Sequence, residues 1–493
     1  MLPCRTCRRT LSGIAAAFGH GYLGVLGLPG LADAPLPTPV PALRGAPAVA
    51  ADAGWGHSVY LGADGVAHAV GRCADFKNTL RHINMRTAAP ALQALVGHAS
   101  RLLFPSDWAP QALAPPAGEA WAGLSCSPGG GTALLTAQGA LYVGGSNAFG
   151  QCGQRAASRE RVEHVPLRVT QGWPTPGERI AGVSMGLEHV LAVSEGGGCF
   201  AWGRGDRGQL GQGDTAHYTA PVRVMEGAGG TDWLALRIVA VEAGMSASAA
   251  LDAQGGLWVW GKMQGLEEGA VRGSGRLRKD QLLPRRVAFE DEWAWGKEGG
   301  ANSGAPPPPA APRHRADTLP PGTAPILIPA RRPPPPALGA VAPRRVLAVT
   351  AGQPHLSLLT DDGRLWMLGM RGRGALLDDS SAPPPGEQLA PLGEEALPDT
   401  HVQCTPMEVP PGLLQGQAVR ALRSSLHHSY ALTAEGRVFR WGWQGRVEPF
   451  DPVRGLGGLQ EARVQGGEGG EGAEGLPAIK DLNFGYSHGV AVL

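Results

Sequence analysis

Short apolar runs come in pairs along this chain, each pair joined by a turn and followed by a glycine-rich stretch. The clearest pair lies between Gly186 and Asp214. Gly186-Leu-Glu-His189-Val-Leu-Ala-Val reads as one strand, and Gly198-Cys-Phe-Ala-Trp202-Gly203 as the next. A turn over residues 195–198 joins them, which predicts a β-hairpin. Glycines at 205, 208, 211 and 213 then mark a loop that cannot continue as regular structure.

The frame repeats. His189 and Gly203 stand 14 residues apart, and the same interval separates His57 from Gly71, Gly131 from Gly145, Ala247 from Gly261, His355 from Gly369 and His428 from Gly442. Three residues before these first positions stand Gly54, Pro128, Gly186, Gly244, Gly352 and Ser425. A further half-copy, Gly485-Tyr-Ser-His488, opens the last segment of the chain. Hairpins of fixed length joined by links of variable length are the signature of repeated blades, each a small sheet that buries its faces only against its neighbours.

These residues resemble the regulator-of-chromosome-condensation repeat family, whose blades carry Gly-x-x-His, then Gly-x-Leu/Val-x-x-Trp-Gly, then Gly-x-Leu-Gly. The copy at 186–213 fits throughout, and Gly255-Gly-Leu-Trp-Val-Trp260-Gly261 and Gly436-Arg-Val-Phe-Arg-Trp441-Gly442 follow it. The resemblance implies an all-β fold, a seven-bladed β-propeller spanning 13–493. It does not select a function, because the family holds guanine-nucleotide exchange factors, an ultraviolet photoreceptor, ubiquitin-ligase modules and organellar assembly factors.

The two ends complete the count. Residues 14–27 place Phe18-Gly19 where Trp-Gly stands elsewhere, and supply glycines at 24 and 27. The half-copy at the other end lacks these parts. Joining the N- and C-terminal half-repeats in one sheet closes the ring and removes two open edges. Residues 1–12, with Arg5, Arg8 and Arg9 and no acid before Asp33, have the bias of a basic organellar leader. Residues 266–344 read as the largest insertion, and its part 301–343 holds 14 prolines, which predicts an extended, disordered arm.

Charge and cysteines narrow the chemistry. With 43 basic and 42 acidic residues, the net charge of +1 gives no global attraction to nucleic acid or membrane, and no DNA preference is evident. The seven scattered cysteines suit a reducing compartment. Cys4-x-x-Cys7 is half of a zinc site without its second half. No run approaches a membrane span, since glycines interrupt the apolar stretch 11–28.

Histidines at equivalent places, His57, His189, His355, His428 and His488, are distributed round a ring and do not converge on a metal. The expectation is that each is buried and bonds neighbouring backbone. Gly203-Arg-Gly-Asp-Arg-Gly208 matches a dinucleotide fingerprint in letters only, because no helix follows. Trp55 has no tryptophan at the equivalent places Leu187, Gln353, Leu426 or Tyr486, against the photoreceptor reading. No catalytic constellation, cofactor or metal site is expected.

One set of residues points to binding. After the closing glycine the chain repeatedly places a base: Arg72, Arg204, Lys262 and, one position later, Arg371, with Arg207 and Arg373 nearby. Equivalent places lie on one face, so these residues are expected to form a cationic rim. The expected function is a non-catalytic propeller platform supporting an organellar, mitochondrial assembly, with a protein, RNA or ribosomal particle as partner. The alternatives are exchange activity on a small GTPase, and a cytoplasmic or other organellar location.

Overall fold

A computed structural model describes residues 13–19, 21, 24–29, 33–71, 110–154, 162–224, 233–262, 281–287, 344–352, 355–370, 402–409, 417–424, 428–435, 438–442, 448–450, 479–485 and 488–493. Within them, seven antiparallel four-stranded sheets form a seven-bladed propeller. The hairpin read from the sequence is the middle of each blade: His189–Ser194 pairs with Cys199–Gly203, and His189 stands opposite Gly203. A first strand precedes it, Ile180–Met185, and an outermost strand follows, Tyr218–Arg223.

The first strands line the axis. In chain order they are Ala48–Ala53, Trp121–Cys126, Ile180–Met185, Ile238–Ala243, Val346–Ala351, Val419–Ser424 and Asp481–Phe484, and we number the blades 1–7 accordingly. Each touches the next, and Asp481–Phe484 touches Ala48–Ala53, so the ring is closed.

Blade 7 is built from both ends of the chain, as expected. Its first two strands are Asp481–Phe484 and His488–Val492, and Ala15–Gly19 and Ala34–Pro39 supply the third and fourth. Gly19 stands opposite His488, in the same register as Gly203 and His189. Gly13 and Ala48 exchange two backbone hydrogen bonds of 2.8 Å, tying this sheet to blade 1.

The stretch 266–344 is not one uninterrupted insertion. Gln281–Arg286 is the outermost strand of blade 4, so the chain leaves the sheet twice, over 263–280 and over 288–343. The basic leader 1–12, the proline-rich part 301–343 and the loop 72–109 lie outside the described residues.

The core lies between blades. One cluster joins Leu191, Val193 and Ala201 of blade 3 to Trp258 and Trp260 of blade 4, with Trp233 edge-on to both tryptophans. Others join blades 1 and 2, 2 and 3, 5 and 6, 6 and 7, and 7 and 1. The repeated tryptophan also reaches backward: Trp202 Nε1 donates to Gln151 O of blade 2 at 2.9 Å, and Trp260 Nε1 to Gln209 O of blade 3 at 2.8 Å. The closing glycine allows this close approach. Gly203 has φ +102°, and a Cβ there would stand 2.6 Å from Glu188 O.

Among the described side chains His57, His189, His355 and His488 are buried, but the bond that Nε2 makes is to a hydroxyl of the next blade and not to backbone. His57 reaches Thr132 Oγ1 at 2.9 Å, His189 reaches Ser248 Oγ at 3.0 Å, His355 reaches Ser429 Oγ at 2.5 Å, and His488 reaches Ser58 Oγ at 2.8 Å. Ser58 Oγ donates its one proton to Val25 O, and Ser248 Oγ donates to Gln209 O, both at 2.7 Å. Each must therefore accept from the imidazole, which fixes the Nε2–H tautomer of His488 and His189. Gly-x-x-His follows from packing, since a Cβ on Gly186 would stand 2.4 Å from His189 Cε1.

Histidine and hydroxyl are matched at four joints, and His428, with Gly489 at the partner place, is the exception. Where the first position is Gly131 or Ala247, the partner place in the following blade is Val190 or Leu356. Replacing Ser248 by Ala should leave His189 Nε2 buried without an acceptor and destabilise by about 1–3 kcal/mol. The double replacement His189→Ala with Ser248→Leu copies the apolar match of Ala247 and Leu356. It should cost less than the two single changes summed, measured by chemical denaturation as a double-mutant cycle.

Burial also lowers the histidine pKa values from 6.5, to about 4 for His57 and about 3 for His189 and His488. Below pH 6.5 the unfolded chain binds protons that the folded ring does not, so stability falls as pH drops toward 4. Each histidine contributes up to about 1.4 kcal/mol per pH unit in this window. Melting temperature should decline across it, and His189→Gln should flatten the slope; an unchanged slope in that variant would refute the assignment.

Candidate interaction face

The register sorts the loops between two faces. First-to-second-strand turns and third-to-fourth-strand loops share one face, here the loop face. Second-to-third-strand turns and the entries to the first strands share the other, the turn face. The segments 72–109, 155–161, 263–280, 371–401 and 443–447 all leave from strand ends on the loop face.

Backbone bonds confirm that the residues after the closing glycines are equivalent. Arg204 N–H donates to Glu188 O at 2.9 Å, Lys262 N–H to Ser246 O at 2.7 Å, and Ser146 N–H to Gly130 O at 3.4 Å. Arg204 and Lys262 thus occupy the same place in blades 3 and 4, with Arg207 exposed on the same loop as Arg204. Arg72, Arg371 and Arg373 lie outside the described residues.

Arg204 is held inside its own loop. Its guanidinium meets Glu188 Oε2 at 2.6 Å, and grips both oxygens of Asp206, at 2.8 Å through Nε and 2.6 Å through Nη2. Its Cζ stands 5.1 Å from the centroid of the Phe149 ring of blade 2, and that ring in turn meets His217 edge-on at 5.0 Å. The hydrogen bond that Arg204 donates to Asp206 raises its pKa, with Glu188 adding to it against burial. Burial pushes the Asp206 carboxyl up, and the hydrogen bond and charge of Arg204, with help from Gln209 and Arg207, carry it below the usual range. Such bidentate, part-buried pairs are stronger than open surface pairs.

The loop itself is shaped by glutamine. Gln209 Oε1 accepts from Arg207 N–H, and Gln151 Oε1 from Phe149 N–H, each at 2.8 Å. Gln209 is buried, and its carbonyl takes the bonds of Ser248 and Trp260 described above. The Gly-Gln-Leu-Gly stretch is therefore the socket into which the next blade plugs. The carboxylates were visible in the sequence, Glu188 just before the histidine and Asp206 two residues past Arg204. The signal for their pairing is that the closing glycine brings residues 188 and 204 side by side.

Among the described residues no helix is long and apolar enough to cross a membrane, and no three His, Cys, Asp or Glu side chains gather to hold a metal ion. Cys126, Cys152 and Cys199 are buried and form no disulfide. Burial pushes the Cys199 thiol up, which leaves it a packing residue.

Comparison with known proteins agrees with this geometry. The model of the regulator of chromosome condensation (RCC1) repeat matches residues 16–61 and 196–251. The chain is 24% identical over 328 residues to the ultraviolet-B receptor UVR8 of Arabidopsis thaliana, covering 61% of this chain and 60% of that protein. It is 32% identical over 174 residues to the mitochondrial RCC1 domain-containing protein RUG3 of the same plant, covering 35% of each. The chain thus spans less than two thirds of either relative. Among solved structures, Prp20p of Saccharomyces cerevisiae, studied for its binding to Gsp1p and histones, superimposes with a TM-score of 0.61 at 16% identity, over 99% of this chain and 92% of that one. On the registered repeats, the closed ring and the matched repeat model, this chain carries regulator of chromosome condensation (RCC1) repeats, matched at residues 16–61 and 196–251, in a seven-bladed propeller similar to the solved structures of that kind.

Proposed function

We propose that this propeller is a non-catalytic interaction platform that supports an organellar, mitochondrial assembly through its loop face. The observation that carries the reading is the placement of the long third-to-fourth-strand segments. Five of them, of different lengths, leave from one face of a ring whose own contacts stay the same from blade to blade. Long segments of varied length on a rigid scaffold are how repeat proteins build partner surfaces, and the links 288–343 and 451–478 add two such segments on the turn face. The likeness to the mitochondrial RUG3 supports the location.

The cationic rim belongs to this reading, comprising Arg72, Arg204, Arg207, Lys262, Arg371 and Arg373. Its members divide by role. Arg204, engaged by Glu188 and Asp206, shapes the loop, and Arg207 and Lys262 present their charge outward. The partner is a protein, or an RNA or ribosomal particle, and an acidic or phosphate surface suits the rim.

A second reading, guanine-nucleotide exchange on a small GTPase, draws on the likeness to Prp20p, which binds Gsp1p. It would work by wedging a nucleotide site open and needs no acid or base from this chain.

One experiment separates the two. Tagged protein is captured from mitochondrial extract over a salt series, and labelled GDP release is followed with the small GTPases of that extract. A platform recovers a large particle and leaves GDP release unchanged; accelerated release without a co-purifying particle supports exchange. Reversing Arg207 and Lys262 to Glu should weaken capture and reduce its salt dependence with the melting temperature unchanged. Arg204→Ala should behave differently, lowering stability by about 1 kcal/mol through loss of its paired carboxylates. Equal melting temperatures for Arg204→Ala and Arg207→Ala would remove the structural role given to Arg204.

A further inference from the structure

The third-to-fourth-strand loops of blades 2 and 3 do more than cross the loop face, because each lies on the fourth strand of the blade that follows. Gly213 of blade 3 donates its N–H to Leu282 O at 3.1 Å, and a Cβ on it would stand 3.4 Å from Leu283 Cδ2. Gly150 of blade 2 lies on blade 3 in the same way, since a Cβ there would stand 2.5 Å from Thr219 Cβ. Register makes these places equivalent. Tyr218 and Gln281 stand opposite the closing glycines Gly203 and Gly261, so Thr219 matches Leu282 and Ala220 matches Leu283. Both Ala220 and Leu283 are half-buried.

The fourth strand of blade 2 differs. Glu163 stands opposite the closing Gly145, which puts Val165 at the place of Ala220 and Leu283, and Leu167 at the place of Val222. Val165 is 66% exposed and Leu167 36%. With Pro166 they form an apolar stretch on the outermost strand of the sheet, an edge of the kind that a folded chain covers.

The joint between blades 1 and 2 also lacks both parts of the contact made at the two joints after it. There an indole seats on a glutamine carbonyl inside a glycine-rich loop, Trp202 on Gln151 and Trp260 on Gln209. Gly144 stands at the tryptophan place of blade 2, opposite Thr132 as Trp202 stands opposite Val190. On the other side, the segment 72–109 of blade 1 holds one glycine, Gly97, in 38 residues. Gly150 and Gly208 have φ +81° and +72°, and Phe76 takes their place five residues past the closing glycine. A side chain is strained in that conformation, so blade 1 cannot build the same socket.

What the segment offers instead is apolar side chains, above all the run Leu102-Leu103-Phe104. The segment lies outside the described residues, but its two ends are fixed at one place: Gln111 pairs with Ala69, two residues before Gly71. The run is seven residues before Gln111. In blade 3 a link of 14 residues, 204–217, is enough to form a socket and reach blade 4, so length does not limit the longer segment.

We infer that Leu102-Leu103-Phe104 of this chain's own segment 72–109 is seated on Val165 and Leu167, covering the fourth strand of blade 2 with side chains where blades 2 and 3 cover their successors with glycine-rich backbone. Connectivity selects this occupant. The segment leaves and re-enters blade 1, the blade whose loop has this duty in the repeat, and its tether holds it near the edge at an effective concentration that a free partner would have to exceed. Seated there, 72–109 is a fixed ridge of the loop face.

The test uses the full chain and follows the chemical denaturation midpoint, the rate of tryptic cleavage after Arg101, and sedimentation velocity. Val165→Asp is neutral if the edge is bare, as at any exposed site. With the edge covered, Val165→Asp and Leu103→Asp each lower the midpoint and speed cleavage after Arg101 several-fold, and the double variant is no worse than the more severe single one. Val165→Ser gives a smaller shift of the same sign, which serves if the aspartate variants fold poorly. The inference is overturned if Val165→Asp leaves midpoint and cleavage unchanged, or if its effects and those of Leu103→Asp simply add. It is overturned as well if Val165→Asp disperses an oligomer at an unchanged cleavage rate, which makes a second copy the occupant, or only lowers recovery of a particle from mitochondrial extract, which makes the edge a partner's site. Failure of the wild-type chain to capture an assembly would remove the platform reading and leave these readouts intact.

Discussion

The residue next to the end of each first strand is polar, and at six of the seven joints it holds one blade to the next; Thr350 instead bonds back to Glu242 of the preceding blade. The series is Asp52, Ser125, Ser184, Glu242, Thr350, Arg423 and Asn483, and all seven are buried. Cys126 N–H donates to Asp52 Oδ2 at 2.8 Å, Met185 N–H to Ser125 Oγ and Ala243 N–H to Ser184 Oγ at 3.0 Å each, and Ala351 N–H to Glu242 Oε1 at 3.5 Å. Arg423 donates to Asp481 Oδ1, and Asn483 Nδ2 to Ala51 O, both at 2.6 Å. Each bond satisfies a polar group where two sheets meet edge to edge around the axis, a place where no strand can pair with it. Hydrophobic packing between blades slides easily, since it is non-directional. These bonds fix the angle and height at which each sheet follows the last.

The cost of such a device is highest at the joint between blades 6 and 7. Arg423 and Asp481 are 7% and 8% exposed, so removing one would leave the other charged and buried, an effect on the order of 3–5 kcal/mol. The same joint carries the chain closure, where Ala15–Gly19 pairs with His488–Val492. Strong side-chain contacts sit beside a sheet assembled from strands that are far apart in sequence. That agrees with a closure whose loop entropy must be recovered from contacts formed late.

How much of this was legible follows from which strands obey simple patterns. The middle hairpin was, because a fixed turn keeps His189 opposite Gly203 and five further pairs repeat the interval. The first strands were not, because Asp52, Glu242 and Arg423 look like surface residues in a sequence, and only the ring gives them buried partners. The bulge after Ala48, Trp121 or Ile180 also breaks the two-residue alternation by which a strand is recognised. Outermost strands such as Gln111–Leu113 are too short to signal anything, and Gln281–Arg286 was read as part of an insertion because the sequence on both sides of it lacks the repeated frame. At the binding face, position was legible and chemistry was not. Equivalent places put Arg204 and Lys262 on one side, but the grip of Glu188 and Asp206 on Arg204 appears only when the closing glycine brings their backbones together.

Stability and variation occupy opposite ends of the same strand. In the first strand the penultimate residue stays polar in all seven blades, whatever its size or charge, and it bonds to a neighbouring blade in each. Near the entry, the bulged residue varies from Ala122 to Leu347 to Arg420 with no change in backbone register. A position that the ring does not use can change without loosening the ring, and one that the ring does use can change only within its bonding role. The same division holds in the loops: Gln151 and Gln209 retain their carbonyl contacts with the following blade, as the residues three to five before them differ between Ser146-Asn-Ala and Arg204-Gly-Asp. Seven near-copies of one sheet can in this way carry seven different surfaces, because each blade spends separate residues on holding its neighbour and on facing solvent.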